Sequence, residues 1–96
     1  MITLCVLLWP HPGQDEALTD YEDQVLALLG RHGATLVSRV RNPGFTEVLP
    51  YEVQVIEVPD QAALDGYLQD PDRTALSGLR DRAIARTELM RVERLG

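Results

Sequence analysis

Lysine is absent, and all nine cationic side chains are arginine, a compositional bias before it is a functional sign. A single cysteine, Cys5, excludes an internal disulfide and fits a cytoplasmic location. Positive charge is scarce as well. With a net charge of −6 and a pI near 4.7, the chain is repelled by phosphate backbones and anionic lipid, so neither nucleic acid nor a membrane surface is an expected partner. The two histidines, His11 and His32, and the one cysteine match no metal-ligand spacing, so no metal is expected. There is no GxGxxG, no P-loop and no serine-centred elbow, hence no nucleotide fingerprint and no expected cofactor. No apolar run is long enough to span a bilayer. The apolar start lacks a basic flank and a small-residue cleavage site, so no secretory signal is expected either. Fixed-period repeats and linker-like composition breaks are missing, which leaves one domain over residues 1–96.

What is present begins with Ile2-Thr3-Leu4-Cys5-Val6-Leu7-Leu8-Trp9, apolar from Leu4 to Trp9. A strand with one wet face alternates apolar and polar residues; this one does not, so both faces should be covered. Pro10-His11-Pro12-Gly13 stops it in a turn. A helix is expected from Gln14 or Asp15 to His32. Its stripe is Leu18, Tyr21, Val25, Leu28, Leu29 and His32, with Glu22 and Asp23 on the solvated side and Gly33 ending it. Ala34 to Arg41 reads as a polar edge strand with Leu36, Ser38 and Val40 on one face. Asn42-Pro43-Gly44 is a turn, and Tyr51 to Val58 is a β-branched strand stopped by Pro59. Asp60 caps a short helix to Gln69. Asp70-Pro71 caps a further one to about Ala83, and the last strand is Arg86 to Leu95.

The order βαββαβ predicts an α+β, ferredoxin-like split βαβ fold: a four-stranded antiparallel sheet with its helices on one face. Right-handed crossovers are expected to set the first and third strands side by side and parallel in its centre. Nothing in so short a chain is then left to cover the second face, which carries either Thr3, Cys5, Leu7 and Trp9 or Ile2, Leu4, Val6 and Leu8. A second copy related by a two-fold axis is the simplest cover, giving a homodimer through the open sheet face.

Several stretches carry a family likeness: the apolar first strand, Arg31-His32-Gly33-Ala34, Val55-Ile56-Glu57-Val58-Pro59, and Ala62-Ala63-Leu64-Asp65-Gly66-Tyr67-Leu68 with the Asp70-Pro71 break. Through them the chain resembles the dimeric α/β-barrel superfamily over nearly its whole length, and within it the small DUF1330-like proteins of unknown function. The resemblance implies the fold and the dimer. It implies no single reaction, because the superfamily includes cofactor-independent monooxygenases, small isomerases and dehydratases, haem-degrading enzymes and stress-response proteins.

His11, in a proline-bounded turn at the end of a central strand, is a candidate general base. Tyr67 is a candidate catalytic hydroxyl. Trp9, Tyr21 and Tyr51 could line a ligand cavity with Tyr67, although Trp9 ends its strand and Tyr51 begins one expected to run parallel. His32 should bond the last carbonyls of the first helix; as a ligand-binding residue it could instead be an axial haem ligand, but no haem motif accompanies it. Arg80, near the last helix's buried stripe, could bind a carboxylate or phenolate. Arg73, Arg82 and Arg86 read as solvated charges, and Cys5 as a packing residue. Two functions fit this pattern: a cofactor-independent enzyme, monooxygenase- or isomerase-like, acting on a small hydrophobic or aromatic molecule, or a non-catalytic ligand-binding or assembly module.

Overall fold

The apolar start forms β1 (Ile2–Pro10), flanked by β3 (Glu52–Val58) and β4 (Ile84–Val92), with β2 (Thr35–Arg41) outside β3. The structure, a computed structural model, describes residues 1–96. All three pairings are antiparallel, which bears out the expected fold and corrects one detail of it: β1 and β3 do not run parallel. The crossover through α1 (Asp15–Leu26) returns the chain in the direction of β1, so β2 runs with β1. The turn at 42–51 then reverses it, and β3 must oppose both. As a consequence Tyr51 and Trp9 lie at the same end of the sheet, and the Tyr51 amide donates to the Leu8 carbonyl at 2.9 Å.

Alternation along β1 separates two environments. Ile2, Leu4, Val6 and Leu8 are buried against the helices together with Leu18, Tyr21, Val25, Leu29 and Leu64. Each such side chain contributes roughly 1.5–3 kcal/mol relative to exposure. The odd-numbered residues face away. Cys5 stands opposite Val55 and Met90, and Leu7 opposite Val53 and Glu88, on a face that no element of the chain covers. The molecule is 16 Å thick, enough for one sheet and one helical layer.

The helices are shorter than their apolar periodicity suggests. α1 ends at Leu26, and the chain tightens into a 3₁₀ turn, Leu29–His32, before Gly33 takes a left-handed conformation (φ 68°) that suits glycine. The second helical region has three pieces: α2 (Gln61–Leu68), α3 (Pro71–Thr74) and α4 (Ser77–Ala83). Asp60 caps α2 through the Ala63 amide, and Asp70 caps α3 through the Asp72 amide. A second break at Ala75–Leu76 was not anticipated. β4 starts at Ile84, two residues before the expected Arg86, and ends at Val92.

An irregularity in β2 between Leu36 and Ser38 changes which side chains share a face. Leu36 opposes Ile56 on the helical side, whereas Ser38 and Val40 oppose Val55 and Val53 on the open side, so Leu36 and Val40 do not share one as expected. Arg39 is thereby turned toward α1.

Candidate functional site

Between helices and sheet a mostly apolar cavity of about 70 Å³ remains, walled by residues including Leu4, Val6, Leu8, Ile56, Val58 and Leu64. This is far below the few hundred Å³ that enclose drug-sized ligands, and suits a small molecule. Its polar lining is concentrated in Tyr21 and Glu22 from α1, Gln54 from β3, Tyr67 from α2, Arg73 from α3, and Arg80 from α4. Tyr21 is 1% exposed, and its hydroxyl has no hydrogen-bond partner in the protein. Burial raises its pKa, opposed chiefly by the charge of Arg73.

Glu22 is the residue that sequence reasoning placed wrongly. It is buried, not solvated, and its carboxylate accepts a 2.7 Å hydrogen bond from Gln54 Nε2. The same amide nitrogen donates to Glu52 at 2.5 Å, and Glu52 is held by two guanidinium nitrogens of Arg39, at 2.9 and 3.2 Å. Arg39 also reaches Asp23 at 2.5 Å, so a polar chain runs from the cavity wall to the surface. Desolvation pushes the Glu22 carboxyl above the ordinary carboxylate range. The Gln54 hydrogen bond opposes the shift, and the nearby Glu52 charge adds to it.

Arg73 is likewise no solvated charge. It lies 5.2 Å from the Tyr67 ring centroid, and its Nε is buried without a hydrogen-bond partner. A terminal nitrogen makes a long 3.5 Å contact to the Leu68 carbonyl, and the guanidinium also interacts with the Tyr67 hydroxyl, opposing the rise in its pKa. Arg80 is half exposed at the cavity edge, with only a 3.9 Å contact to Asp81.

The proposed site residues divide among separate locations. Tyr21, Tyr67 and Arg80 meet at the interior cavity. The Tyr67 hydroxyl is already engaged there: it donates to the Val25 carbonyl at 3.1 Å, joining α2 to the end of α1, and burial pushes its pKa up to about 12. Tyr67→Phe should therefore act on stability, lowering it by about 1 kcal/mol in a denaturant titration because the hydrogen bond that joins α2 to the end of α1 is lost, although the Val25 carbonyl keeps the Leu28 amide at 3.1 Å. A change below a few tenths of a kcal/mol would show that the bond contributes nothing.

Trp9 and His11 line a different pocket, open and about 450 Å³, with Phe45, Thr46, Glu47 and Arg86. The Arg86 guanidinium lies 4.4 Å from the Trp9 ring centroid, and Trp9 Nε1 is buried without a partner. Arg86 is thus a lid on an aromatic ring, with an added ion pair to Glu88.

Tyr51 and His32 reach neither space. Tyr51 packs edge-on to Phe45 and shares a 3.3 Å hydrogen bond with the Thr19 hydroxyl. His32 does not bond the helix-end carbonyls. Its Nε2 lies 2.8 Å from Asp70 Oδ2, tying the 3₁₀ turn to the cap of α3, while Arg31 bridges to Asp72 at 2.6 Å. The hydrogen bond to His32 is the main reason the Asp70 carboxyl is held below its usual range. Gly66 packs against this clasp: a Cβ there would stand 3.1 Å from His32 Nδ1, so a larger residue needs the ring to shift by a few tenths of an ångström.

No protein-family model matches the chain, and no curated protein matches it in sequence. Solved structures do. A dabb family protein with a ferredoxin-like fold from Mesorhizobium loti aligns with TM-score 0.66 and 21% identity, over 99% of this chain and 97% of its own. A protein from Bacteroides thetaiotaomicron named for antibiotic biosynthesis monooxygenases aligns with TM-score 0.74 and 15% identity, over 98% of this chain and 89% of its own. A dimeric ferredoxin-like protein of unknown function from Jannaschia aligns with TM-score 0.71 and 20% identity, over 97% and 98%. At these identities the likeness establishes the ferredoxin-like fold. No helix is long and apolar enough to cross a membrane.

Proposed function

We propose that the chain works as a homodimer of ferredoxin-like domains, akin to the dimeric α/β-barrel proteins, and that its interior cavity binds a small, mainly apolar molecule for cofactor-independent proton-transfer chemistry of the isomerase type. One observation carries the reading: a desolvated carboxyl, Glu22, stands in the cavity wall next to a tyrosine hydroxyl, Tyr21, that the protein leaves without a partner. Glu22 would take a proton from a carbon of the bound molecule and return it elsewhere on the same molecule. Its raised pKa brings it nearer the operating pH, where a general base that must also act as acid is most effective. The Tyr21 hydroxyl would donate to the oxygen on which charge develops. His11, at the sheet end, belongs to the separate open pocket, and a catalytic role for it would need a second substrate site.

The non-catalytic module is favoured by the small size of the cavity, about 70 Å³. Amide NMR spectra recorded while a small apolar probe such as isovaleramide is added discriminate among these readings. Shifts should concentrate at Val6, Tyr21, Ile56 and Leu64, and the Glu22 carboxyl should titrate above the ordinary carboxylate range. Shifts confined to His11 and Gly13 would move the site to the open pocket. Binding at the cavity with an ordinary Glu22 titration would leave a binding module without the base.

A further inference from the structure

We propose that the molecule taken by this cavity is a small apolar carboxylic acid, bound as its anion with the carboxylate against Arg73 and Arg80 and the hydrocarbon part among Leu4, Val6 and Ile56. The inference rests on the cavity reading above and names its ligand class. Arg73 is the unusual group. No carboxylate oxygen lies within ion-pairing distance of its guanidinium, its Nε is buried without any partner, and what it does meet is the neutral Tyr67 hydroxyl and, at 3.5 Å, the Leu68 carbonyl. A buried donor on a cation left unpaired is costly, and proteins retain such a group where a ligand completes it. Arg31, Arg39 and Arg94 each meet acids at 3.2 Å or less, so an acidic chain had carboxylates to spare for Arg73 and placed none there.

The remaining chemistry agrees. A guanidinium offers two parallel N–H donors that fit one carboxylate, and Arg73, with its Cζ 5.2 Å from the Tyr67 ring centroid, still has its Nε unpaired. The free Tyr21 hydroxyl adds a third donor. Arg80, weakly held by Asp81 at the cavity edge, adds a second positive charge on the solvent side. A cavity of about 70 Å³ with a mostly hydrocarbon wall excludes a phosphorylated or sugar-sized ligand. Glu22 is the one acid in the wall. Glu52 lies behind Gln54 and is neutralised by Arg39, and the other facing groups are the two tyrosines, Arg73 and Arg80. The carboxylate of the ligand therefore sits on the Arg73 and Arg80 side of the wall, away from Glu22, which must stay ionised to act as the base.

Isovalerate and isovaleramide form a suitable pair, since they differ in charge and hardly in shape. NMR titrations of the wild-type protein should give the acid an affinity at least about 10-fold higher than the amide, as expected for a charge-assisted bidentate contact. Arg73→Met keeps the packing over Tyr67 and should remove most of the preference; Arg80→Met should reduce it less. Equal binding of acid and amide, or a preference that survives Arg73→Met, overturns the ligand class and leaves the cavity reading standing. If neither probe shifts a cavity amide, both fall.

Discussion

If the open sheet face pairs as proposed, Leu7→Glu should leave a monomer at micromolar concentration where the wild type is a dimer. Leu7 lies in the middle of β1 on the open face, opposite Val53 on one side and Glu88 on the other. Around it, Cys5, Val53 and Val55 are only half-buried in the single chain, and Met90 and Val40 are 46% and 55% exposed. A contiguous apolar face on the broad side of a slab 35 × 34 Å across needs a partner, and an identical sheet related by a two-fold axis presents the same patch to itself. That symmetry doubles every substitution. Two glutamates would meet near the axis, each desolvated without a counter-charge, at roughly 3–5 kcal/mol apiece. The combined cost of about 6–10 kcal/mol weakens association by roughly 10⁴-fold or more. Sedimentation should show the mass falling from twice the 10.7 kDa chain mass to the chain mass itself. Far-UV circular dichroism should persist, because the residues beside Leu7 in β1 that face the helices are untouched. A wild-type protein that already sediments as a monomer would remove the homodimer.

The same face explains what could and could not be read from the sequence. In Glu52-Val53-Gln54-Val55-Ile56-Glu57-Val58 the clean apolar alternation belongs to Val53 and Val55, so periodicity marks them as core. They face away from the helices, while Glu52 and Gln54 are buried against them. Hydrophobic alternation marks an apolar face and cannot say what covers it. Glu22 was missed for a related reason. It falls four residues after Leu18 and three before Val25, within the inward stripe, yet a carboxylate there reads as solvation until Gln54 is found opposite it. Position was the available signal, and charge masked it. Arg73 gave no sequence signal, since Asp-Pro-Asp-Arg is ordinary for an exposed first turn. The strands, the cap at Asp60 and the break at Asp70-Pro71 were legible because turn chemistry and capping are local. The antiparallel course of β1 and β3 follows from tracing the chain through one crossover and one turn, which periodicity alone does not do.

Glu22→Gln should stabilise the protein at neutral pH, and the gain should shrink as pH falls. The folded state raises the Glu22 pKa above its ordinary 4.5, chiefly by desolvation, so folding favours the protonated acid. For a raised carboxyl pKa, the stabilisation associated with that proton is fully present below the unfolded value and is lost as pH rises through the folded one. Glutamine is neutral throughout and escapes the loss. It also preserves the volume, and its carbonyl oxygen can still accept the bond from Gln54, so packing should change little. The repulsion between Glu22 and Glu52 across that shared amide disappears as well. Attractions from Arg73 and Arg39 oppose the gain, but burial is the larger influence. A net benefit of about 1 kcal/mol corresponds to a rise in Tm of roughly 4–8 °C for a domain of this size. Melting curves should therefore coincide for the two proteins below about pH 4 and separate progressively above pH 4.5. Curves that stay parallel across that range would place Glu22 in ordinary solvation. A stabilised variant that still binds the small acid would show that Glu22 is retained at a cost in stability for something other than binding.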